Sequence, residues 1–367
     1  MVATTTLAHT WQDLAGAALP SRRMEDWRFT DLAALAAMEP RPWTGGDPLA
    51  SLQLPAGVTR LPEAELAAVA GQCLARNGCS DHWPVRLNAG ARPVRLGLRV
   101  EAGAEPLQLA LDAGGAGELL ALHLVLLLEP GASLALSQQL SASGAAVCSL
   151  VCEARLAADA QLHWGLVAQG HSGATMLGHV AVTQEPGSSL ELVTVSSGWG
   201  LSRLEPRVQQ GQGAARTRLR GLQWVDDNQL ADTHSLVRFD GPDGQLDQLH
   251  KTVAAGAGRS VFNGAVQVPR AAQRTDAAQL SRSLLLSDRA RVDTKPELEI
   301  VADDVKCAHG ATVSRLQQDE LFYLQSRGIA ADQAARLLLA GYCQDVLREL
   351  PAAAAGWLPT APPFREP

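Results

Sequence analysis

The sequence predicts a mainly β protein, a right-handed parallel β-helix with helical segments at its N-terminal and C-terminal ends. Three observations support this fold class. Turn-forming segments recur in the middle of the chain at intervals of about 28 residues, a period typical of solenoid proteins. Short runs of alternating apolar residues flank these turns, as in strands with one buried face. Helical spacing of apolar residues is confined to the regions before and after the repeats.

The repeated turn occurs in four copies, at Glu101–Ala104, Glu129–Ala132, Ala157–Ala160 and Glu185–Ser188. Strand-like runs precede and follow these turns, so one period contains two strands and two turns and describes one rung of a parallel β-helix. Stacked rungs would bury their inward residues in a continuous aliphatic column. A β-sandwich also contains short strands between turns, but the nearly constant offset favours the solenoid.

Helical patterns mark the two ends of the chain. Trp11, Leu14 and Ala18 have helical spacing, and Pro20 ends that run. Ala331–Leu350 carries apolar residues along one side of a longer helix. The tail that follows is rich in Pro and Ala and is predicted to be disordered. The predicted regions are an N-terminal helical and irregular region, the β-helix core, a C-terminal helical region and the tail, at residues 1–84, 85–305, 306–350 and 351–367.

Composition and charge restrict the possible partners and location of the protein. The formal net charge is -7 at pH 7, which argues against a general affinity for nucleic acid or an anionic membrane. The N-terminus lacks the features of a secretory signal, and the longest apolar stretch, Leu119–Leu128, is too short to span a bilayer. We therefore expect a soluble, cytoplasmic protein whose six cysteines are free thiols.

Cys307 and His309 are the residues best suited to metal or sulfur chemistry. In an extended segment, residues two positions apart project from the same face, so a thiol and an imidazole would lie side by side. Together they form a soft ligand pair suited to iron–sulfur or zinc, and any further ligands would come from elsewhere in the chain or from a second subunit. The alternative is structural, with Cys307 as a small buried apolar residue. Lys306 would either lower the pKa of the Cys307 thiol or remain solvated.

Other function classes have weaker sequence support. Lys251–Thr252 lacks the preceding glycine of a Walker A loop, so we expect the chain to bind no nucleotide and to hydrolyse no ATP. Asp226–Asp227 and Asp303–Asp304 would suit a calcium-dependent polysaccharide lyase built on a β-helix, although such pairs also mark turns. A passive structural solenoid is the other alternative, and it predicts that no single substitution at Cys307 or His309 matters.

Three segments resemble one known family. KPELEIVADDVKCAHGATV and LFYLQSRGI, within Lys295–Ile329, are similar to the C-terminal signature of the SufB/SufD family, subunits of the Suf iron–sulfur cluster assembly scaffold. Pro20–Leu32 resembles the family's N-terminal basic–acidic–Trp–Arg–aromatic–Thr motif, and Ser260–Ser287 resembles its central segment. The Cys-Ala-His-Gly sequence fits SufD better than SufB. In addition, Ser281 and Arg282 stand where SufB-like chains carry a cysteine.

The resemblance implies a non-catalytic scaffold subunit that pairs with a SufB-like homologue and docks a SufC-like ABC-type ATPase. Cys307 and His309 would lie at the interface with the homologue, where a transient iron–sulfur cluster is shared with the partner. FAD is possible at the level of the complex. His234 and His250 are either structural or line the β-helix surface near that interface. The resemblance places ATPase docking on the C-terminal helices, with candidate residues Leu321, Phe322, Tyr323, Leu337 and Leu338.

Overall fold

The computed structural model describes residues 10–115 and 117–358. Within these ranges the chain forms a parallel β-helix of eight rungs, with helical segments before and after it. The fold class predicted from the sequence is confirmed. No helix in the described part of the chain is long and apolar enough to cross a bilayer.

The elements follow one another as helical segment, β-helix and helical segment. The strands are β1 (Arg41–Pro42), β2 (Val58–Arg60), β3 (Val94–Val100), β4 (Leu107–Asp112), β5 (Glu118–Leu128), β6 (Ser133–Ser141), β7 (Val147–Leu156), β8 (Gln161–Gln169), β9 (Thr175–Gln184), β10 (Ser189–Ser197), β11 (Leu201–Gln210), β12 (Arg216–Val225), β13 (Leu230–Phe239), β14 (Gln245–Ala254), β15 (Arg259–Val268), β16 (Asp276–Leu285), β17 (Arg291–Ile300) and β18 (Lys306–Ser314). The helices are α1 (Trp11–Ala15), α2 (Ala33–Ala36), α3 (Glu63–Val69), α4 (Gln72–Arg76), α5 (Trp83–Gly90), α6 (Gln318–Ser326), α7 (Ala331–Leu347) and α8 (Ala352–Ala355), with a 3-10 helix at Glu25–Trp27.

Each strand of the β-helix pairs in parallel with the strand two positions later, so consecutive strands lie in opposite sheets. Odd-numbered strands from β3 to β17 form one sheet, which β2 extends beyond β3, and even-numbered strands from β4 to β18 form the other. Leu134 lies opposite Leu162, and Leu162 lies opposite Leu190. This register reproduces the spacing of the repeated turns, because successive copies of the repeated turn lie one rung apart.

One position of the repeated turn explains why the repeat is visible in the sequence. Gly103, Gly131, Asp159 and Gly187 occupy equivalent positions, with φ angles of 79°, 69°, 59° and 77°. Glycine adopts this left-handed conformation without steric cost, and aspartate is among the few other residues that tolerate it. The requirement for a left-handed residue at each corner therefore keeps the turn recognisable.

The repeat becomes less regular in the later rungs because their corners differ in length. Leu190 lies opposite Thr217, and Leu246 lies opposite Ala277, so the spacing per rung is no longer constant. The parallel ladder continues because the additional residues lie in the corners, for example between β15 and β16. The stacked strands run from residue 94 to residue 314, starting and ending later than the sequence-based limits of 85–305.

The interior of the β-helix changes from apolar to polar along its axis. One inward column contains Leu136, Trp164 and Leu192 in the early rungs and Gln248 and Gln279 in the later ones. Gln279 Nε2 donates a 2.9 Å hydrogen bond to Gln248 Oε1. Buried polar side chains are stable when they bond to one another in this way. The late rungs therefore combine this polar column with apolar inward residues such as Leu246, Val266 and Ala277.

The N-terminal motif, Pro20–Leu32, packs on the outward face of the odd-numbered sheet. Trp27 is buried there, and the guanidinium carbon of Arg203 lies 3.9 Å from the centroid of its ring. Arg203 Nη1 also donates a 2.9 Å hydrogen bond to the Asp26 carbonyl oxygen. A guanidinium stacked on an indole is favourable. The motif that resembles the family signature thus has a structural role in covering the sheet.

Charged side chains are buried beneath the N-terminal motif. Arg203 donates through Nε to Glu205 Oε1 at 2.7 Å and through Nη1 to Asp232. The Thr30 hydroxyl donates a second hydrogen bond to Asp232. Although burial opposes ionisation, Arg203 and His234 hold the pKa of Asp232 below its usual value. The cluster is stable because each charge has an opposite partner and further hydrogen bonds.

The C-terminal helices α7 and α8 pack on the outward face of the even-numbered sheet. Val346 and Leu347 from α7 and Ala354 from α8 form one buried cluster with Val193 and Val253 of the sheet. Lys251 Nζ anchors α7 through a 2.6 Å contact with Asp345. The described part of the C-terminal region is therefore attached to the β-helix.

Two C-terminal boundaries differ from the expectations. The region 306–350, expected to be helical, begins with β18, because these residues pair with β16 and complete the last rung. Residues 351–358, expected to be disordered, contain α8 and are held by the burial of Ala354 and Leu358. The remainder of the predicted tail, 359–367, lies outside the described residues.

Asp232→Asn should destabilise the fold by about 3–5 kcal/mol in urea unfolding at pH 7, because it leaves Arg203 without one of its buried counter-charges. The folded-state pKa of Asp232 is lowered, so its contribution is complete above the unfolded-state value of about 3.9 and is lost as the pH falls further. The difference between the variant and the wild type should therefore shrink at acid pH.

Asp243→Asn is the matched control, because Asp243 pairs with Arg274 on the surface. The free energy of unfolding of this variant should remain near that of the wild type. Equal destabilisation by both substitutions would contradict the account of the buried cluster.

Candidate functional site

The terminal rung, β17 and β18, leaves one edge of each sheet open. Among the described strands, β17 pairs with β15 and β18 pairs with β16, and each is the last strand of its sheet. Lys306 N donates to Thr275 O at 2.8 Å, so this amide faces β16. Because backbone groups alternate in direction along a strand, the N–H and C=O groups of residues 307, 309, 311 and 313 face the open side. Such an edge is a template for pairing with another chain.

Cys307 ends one inward column of the even-numbered sheet. It lies opposite Ala277, which follows Leu246, and it packs half-buried against the interior apolar cluster. Burial raises the pKa of the Cys307 thiol, and the charge of Asp276 raises it further. The thiol is therefore protonated at neutral pH, and a bound cation would be needed to favour the thiolate.

His309 ends the neighbouring inward column. It lies opposite Gln279, which follows Gln248, but it is exposed because no later rung covers it. Gln279 Oε1 is buried and accepts no hydrogen bond from the described residues. Cys307 and His309 therefore both belong to the inward face of the terminal rung, where the polar interior opens to the outside.

The Cys307–His309 pair is incomplete as a metal site within this chain. In the described ranges, neither residue belongs to a group of three or more potential His, Cys, Asp or Glu ligands. Lys306, expected either to lower the pKa of the Cys307 thiol or to stay solvated, is exposed and faces the opposite side of the strand, and the pKa of the thiol is raised. The prediction that Lys306 lowers the pKa of the Cys307 thiol is therefore wrong, and Lys306 is solvated.

His250 lies inside the β-helix and not on its surface. It is 3% exposed, its ring stacks on Phe262 at 4.2 Å, and Nε2 lies 3.3 Å from Gln223 Oε1. Burial lowers the pKa of His250 to about 3. A Cβ at Gly221 would lie 2.4 Å from His250 Nδ1, so the ring occupies space that this glycine leaves free. His250 therefore fits the structural role and not a position on the β-helix surface.

His234 points outward from β13 but is also buried. Its Nε2 lies 3.0 Å from Asp232 Oδ1, within the charged cluster under the N-terminal motif. The N-terminal region covers this part of the sheet, so His234 does not line an exposed surface. Sequence alternation places such a residue on the outward face, but it does not show that another segment covers it.

The candidate docking residues on the C-terminal helices divide into two groups. Phe322 and Tyr323 are 72% and 58% exposed, and none of the residues of α6 is buried. Leu337 and Leu338 are half-buried and line a cleft of about 620 Å³ between α7 and the last even-numbered strands. The cleft is also lined by charged residues, including Arg282, Glu320 and Asp345. Exposed aromatic side chains beside a cleft of mixed polarity are typical of a protein interaction surface.

Sequence reasoning missed the buried residues around Glu205. Arg203, Glu205 and Arg207 alternate with Leu204, Pro206 and Val208, which indicates outward charged positions on a strand. Their burial depends on contacts with segments more than a hundred residues earlier, including His82. The only available signal was the excess of charge on one strand face, and it does not identify the covering segment.

Comparison with known proteins identifies the family. Residues 111–342 match a family model described as SUF system FeS cluster assembly, SufBD core domain. The chain belongs to the SufBD family. The match extends from the first rungs into α7 and includes the terminal rung with Cys307 and His309. The family resemblance of the sequence is thereby confirmed.

Three similar relatives carry related names. An iron–sulfur cluster assembly SufBD family protein of Synechocystis is 43% identical over 173 residues, 47% of this chain and 38% of that protein. Protein ABCI7, chloroplastic, of Arabidopsis thaliana is 46% identical over 171 residues, 46% of this chain and 36% of that protein. The iron–sulfur cluster assembly protein SufD of Escherichia coli is 39% identical over 133 residues, 36% of this chain and 31% of that protein. This chain therefore aligns with less than half the length of each relative.

Proposed function

We propose that this chain is a non-catalytic, SufD-like scaffold subunit that pairs through its terminal rung with a SufB-like homologue. The observation that carries the proposal is the open end of the β-helix, where Cys307 and His309 end two inward columns. A partner strand that adds to β18 would continue the sheet by main-chain hydrogen bonds. It would also place a partner residue over each of the two columns.

The chemistry of this junction favours a metal-containing substrate. A thiol and an imidazole are soft donors, and two donors leave coordination positions for ligands from a partner. Iron, sulfide or a nascent cluster would be the transient substrate shared between the two chains. Because the column behind His309 is polar through Gln279, charge on the His309 side of the junction would meet hydrogen-bonding groups, whereas the column behind Cys307 is apolar.

The C-terminal helices provide a separate docking surface. Phe322 and Tyr323 project from α6, and the cleft beside Leu337 and Leu338 lies next to the last even-numbered strands. We propose that a SufC-like ATPase docks here, so that its nucleotide-driven motion reaches the terminal rung through α7. Flavin binding, if it occurs, would belong to the assembled complex, and a cytoplasmic location remains a prediction.

No observation favours the polysaccharide lyase. Asp226 and Asp227 lie in a turn, where the Asp226 carboxylate accepts a hydrogen bond from the Asp227 amide at 2.7 Å. Asp304 also lies in a corner, where its carbonyl accepts from the Arg274 amide. In the described part of the chain, neither aspartate pair belongs to a candidate group of metal ligands. Both pairs therefore fit the turn interpretation.

Ala311→Pro tests the pairing edge. The Ala311 amide faces the open side of β18, so proline would remove a donor to the partner while leaving the bonds to β16 intact. Co-expression with SufB-like and SufC-like proteins and affinity purification should recover the SufB-like partner with the wild type and lose it with the variant. Ala311→Ser keeps the amide and is the matched control. Normal recovery of the partner with a folded Ala311→Pro chain would contradict this edge as the interface.

His309→Ala tests the ligand role separately from assembly. The complex should form as for the wild type, because the substitution leaves the backbone edge unchanged. Iron and acid-labile sulfide per purified complex should fall severalfold. His171→Ala removes an exposed histidine in a turn far along the chain and should have no effect. An unchanged cluster content and iron uptake in the His309→Ala complex would support a passive solenoid instead.

A further inference from the structure

A second group of potential ligands lies on the outward face of the odd-numbered sheet. His179 is on β9 and Glu205 is on β11, directly opposite one another in the parallel register. His82, the residue before α5, reaches the same place from the N-terminal region. The group is separate from the terminal rung, since three later strands of this sheet follow β11.

The donor atoms of the three residues converge. His82 Nδ1 lies 2.9 Å and His179 Nδ1 lies 3.4 Å from Glu205 Oε2. One donor atom from each residue lies within 4.8 Å of the other two. Metal–nitrogen and metal–oxygen bonds of about 2.0–2.2 Å in a tetrahedral site place neighbouring ligands about 3.3–3.6 Å apart. The His179–Glu205 distance falls within this range, and the 2.9 Å hydrogen bond between His82 and Glu205 would lengthen slightly to admit a small cation.

His179 is a fully buried side chain that points into this group. Its side chain is 0% exposed, its Nδ1 makes only the 3.4 Å contact with Glu205 Oε2, and its Nε2 has no hydrogen-bond partner among the described residues. Burial without a partner costs about 1–3 kcal/mol for a polar group, so such groups usually have a ligand, an ion or a water.

We infer that His82, His179 and Glu205 bind one divalent transition-metal ion of the Zn²⁺ or Fe²⁺ class. Two imidazoles and a carboxylate are a donor set that such ions prefer over Mg²⁺ or Ca²⁺. The side chain of His82 is 28% exposed, which gives the ion a route from solvent. The bound ion would fasten the segment before α5 to two rungs of the β-helix. This inference goes beyond the proposed function and does not depend on it.

The surroundings of Glu205 orient the carboxylate for one-oxygen ligation. Arg203 Nε binds Oε1 at 2.7 Å and leaves Oε2 to face the two histidines. Such supporting contacts fix the ligand and its charge. Asp232 pairs with Arg203, and its negative charge reduces the repulsion between this arginine and a bound ion.

Arg207 is the feature that opposes metal binding. Its Nη2 lies 3.5 Å from Glu205 Oε2, so its positive charge competes for the same oxygen. Removing this charge should therefore strengthen metal binding, whereas removing a ligand should weaken it. If the two histidines had only a structural role, the substitutions would not have opposite effects on metal affinity.

The test is titration of the purified, EDTA-treated full chain with a divalent metal ion. Binding of Co²⁺ is monitored by visible absorption, and binding of Zn²⁺ is measured by calorimetry. The chain carries Cys307→Ser and His309→Ala so that the terminal rung does not contribute. We expect one ion per chain, and a rise in the melting temperature with Zn²⁺. His82→Gln should weaken binding at least about tenfold, and Arg207→Gln should strengthen it.

His171→Gln, an exposed histidine outside the group, is the matched control and should bind as the parent chain does. Circular dichroism checks that His82→Gln is folded. Absence of stoichiometric Co²⁺ or Zn²⁺ binding to the parent chain would overturn the inference, as would equal affinity of the His82→Gln variant. These outcomes are independent of whether a SufB-like partner binds, so the metal site and the proposed function fail separately.

Discussion

In-register parallel stacking is the constraint on which the rest of this structure depends. Every rung satisfies the backbone groups of the rung before it, so a β-helix must either be capped or end with unsatisfied groups. At the start of the odd-numbered sheet, β2 pairs antiparallel with β3 and extends the sheet. At the other end, β17 and β18 have no further partner strand among the described residues. In the even-numbered sheet, β4 and β18 are both edge strands among the described residues. We propose the terminal rung as the junction because it carries Cys307 and His309.

A second feature of the stack is that one inward column becomes polar along the axis. Leu136 and Trp164 fill the column that leads, several rungs later, to Gln279 and His309. An aliphatic column stabilises the stack without any requirement for specific bonding, whereas a polar column must satisfy each group. The polar groups are concentrated in the rungs nearest the open edge. The rungs nearest the open edge therefore contain one polar inward column beside apolar inward residues.

The rungs could be predicted from sequence because their signals are local. The left-handed corner at Gly131 and Asp159 and the alternation on either side repeat in register, and Cys307 and His309 share a face by the same alternation. The burial of His234, Glu205 and His179 could not be predicted, because it depends on a cover supplied by the N-terminal region. The last strand, β18, was placed outside the β-helix, since its exposed residues lack the apolar alternation that marks a buried strand.

Residue-resolved hydrogen–deuterium exchange of β18, with and without a SufB-like partner, tests the central claim most directly. The amides of residues 306, 308, 310 and 312 face β16 and should be protected in both states. The amides of Cys307, His309, Ala311 and Val313 face the open side, and they should exchange fast in the free chain and become protected in the complex. A stable complex in which these four amides still exchange at the free rate would contradict the account.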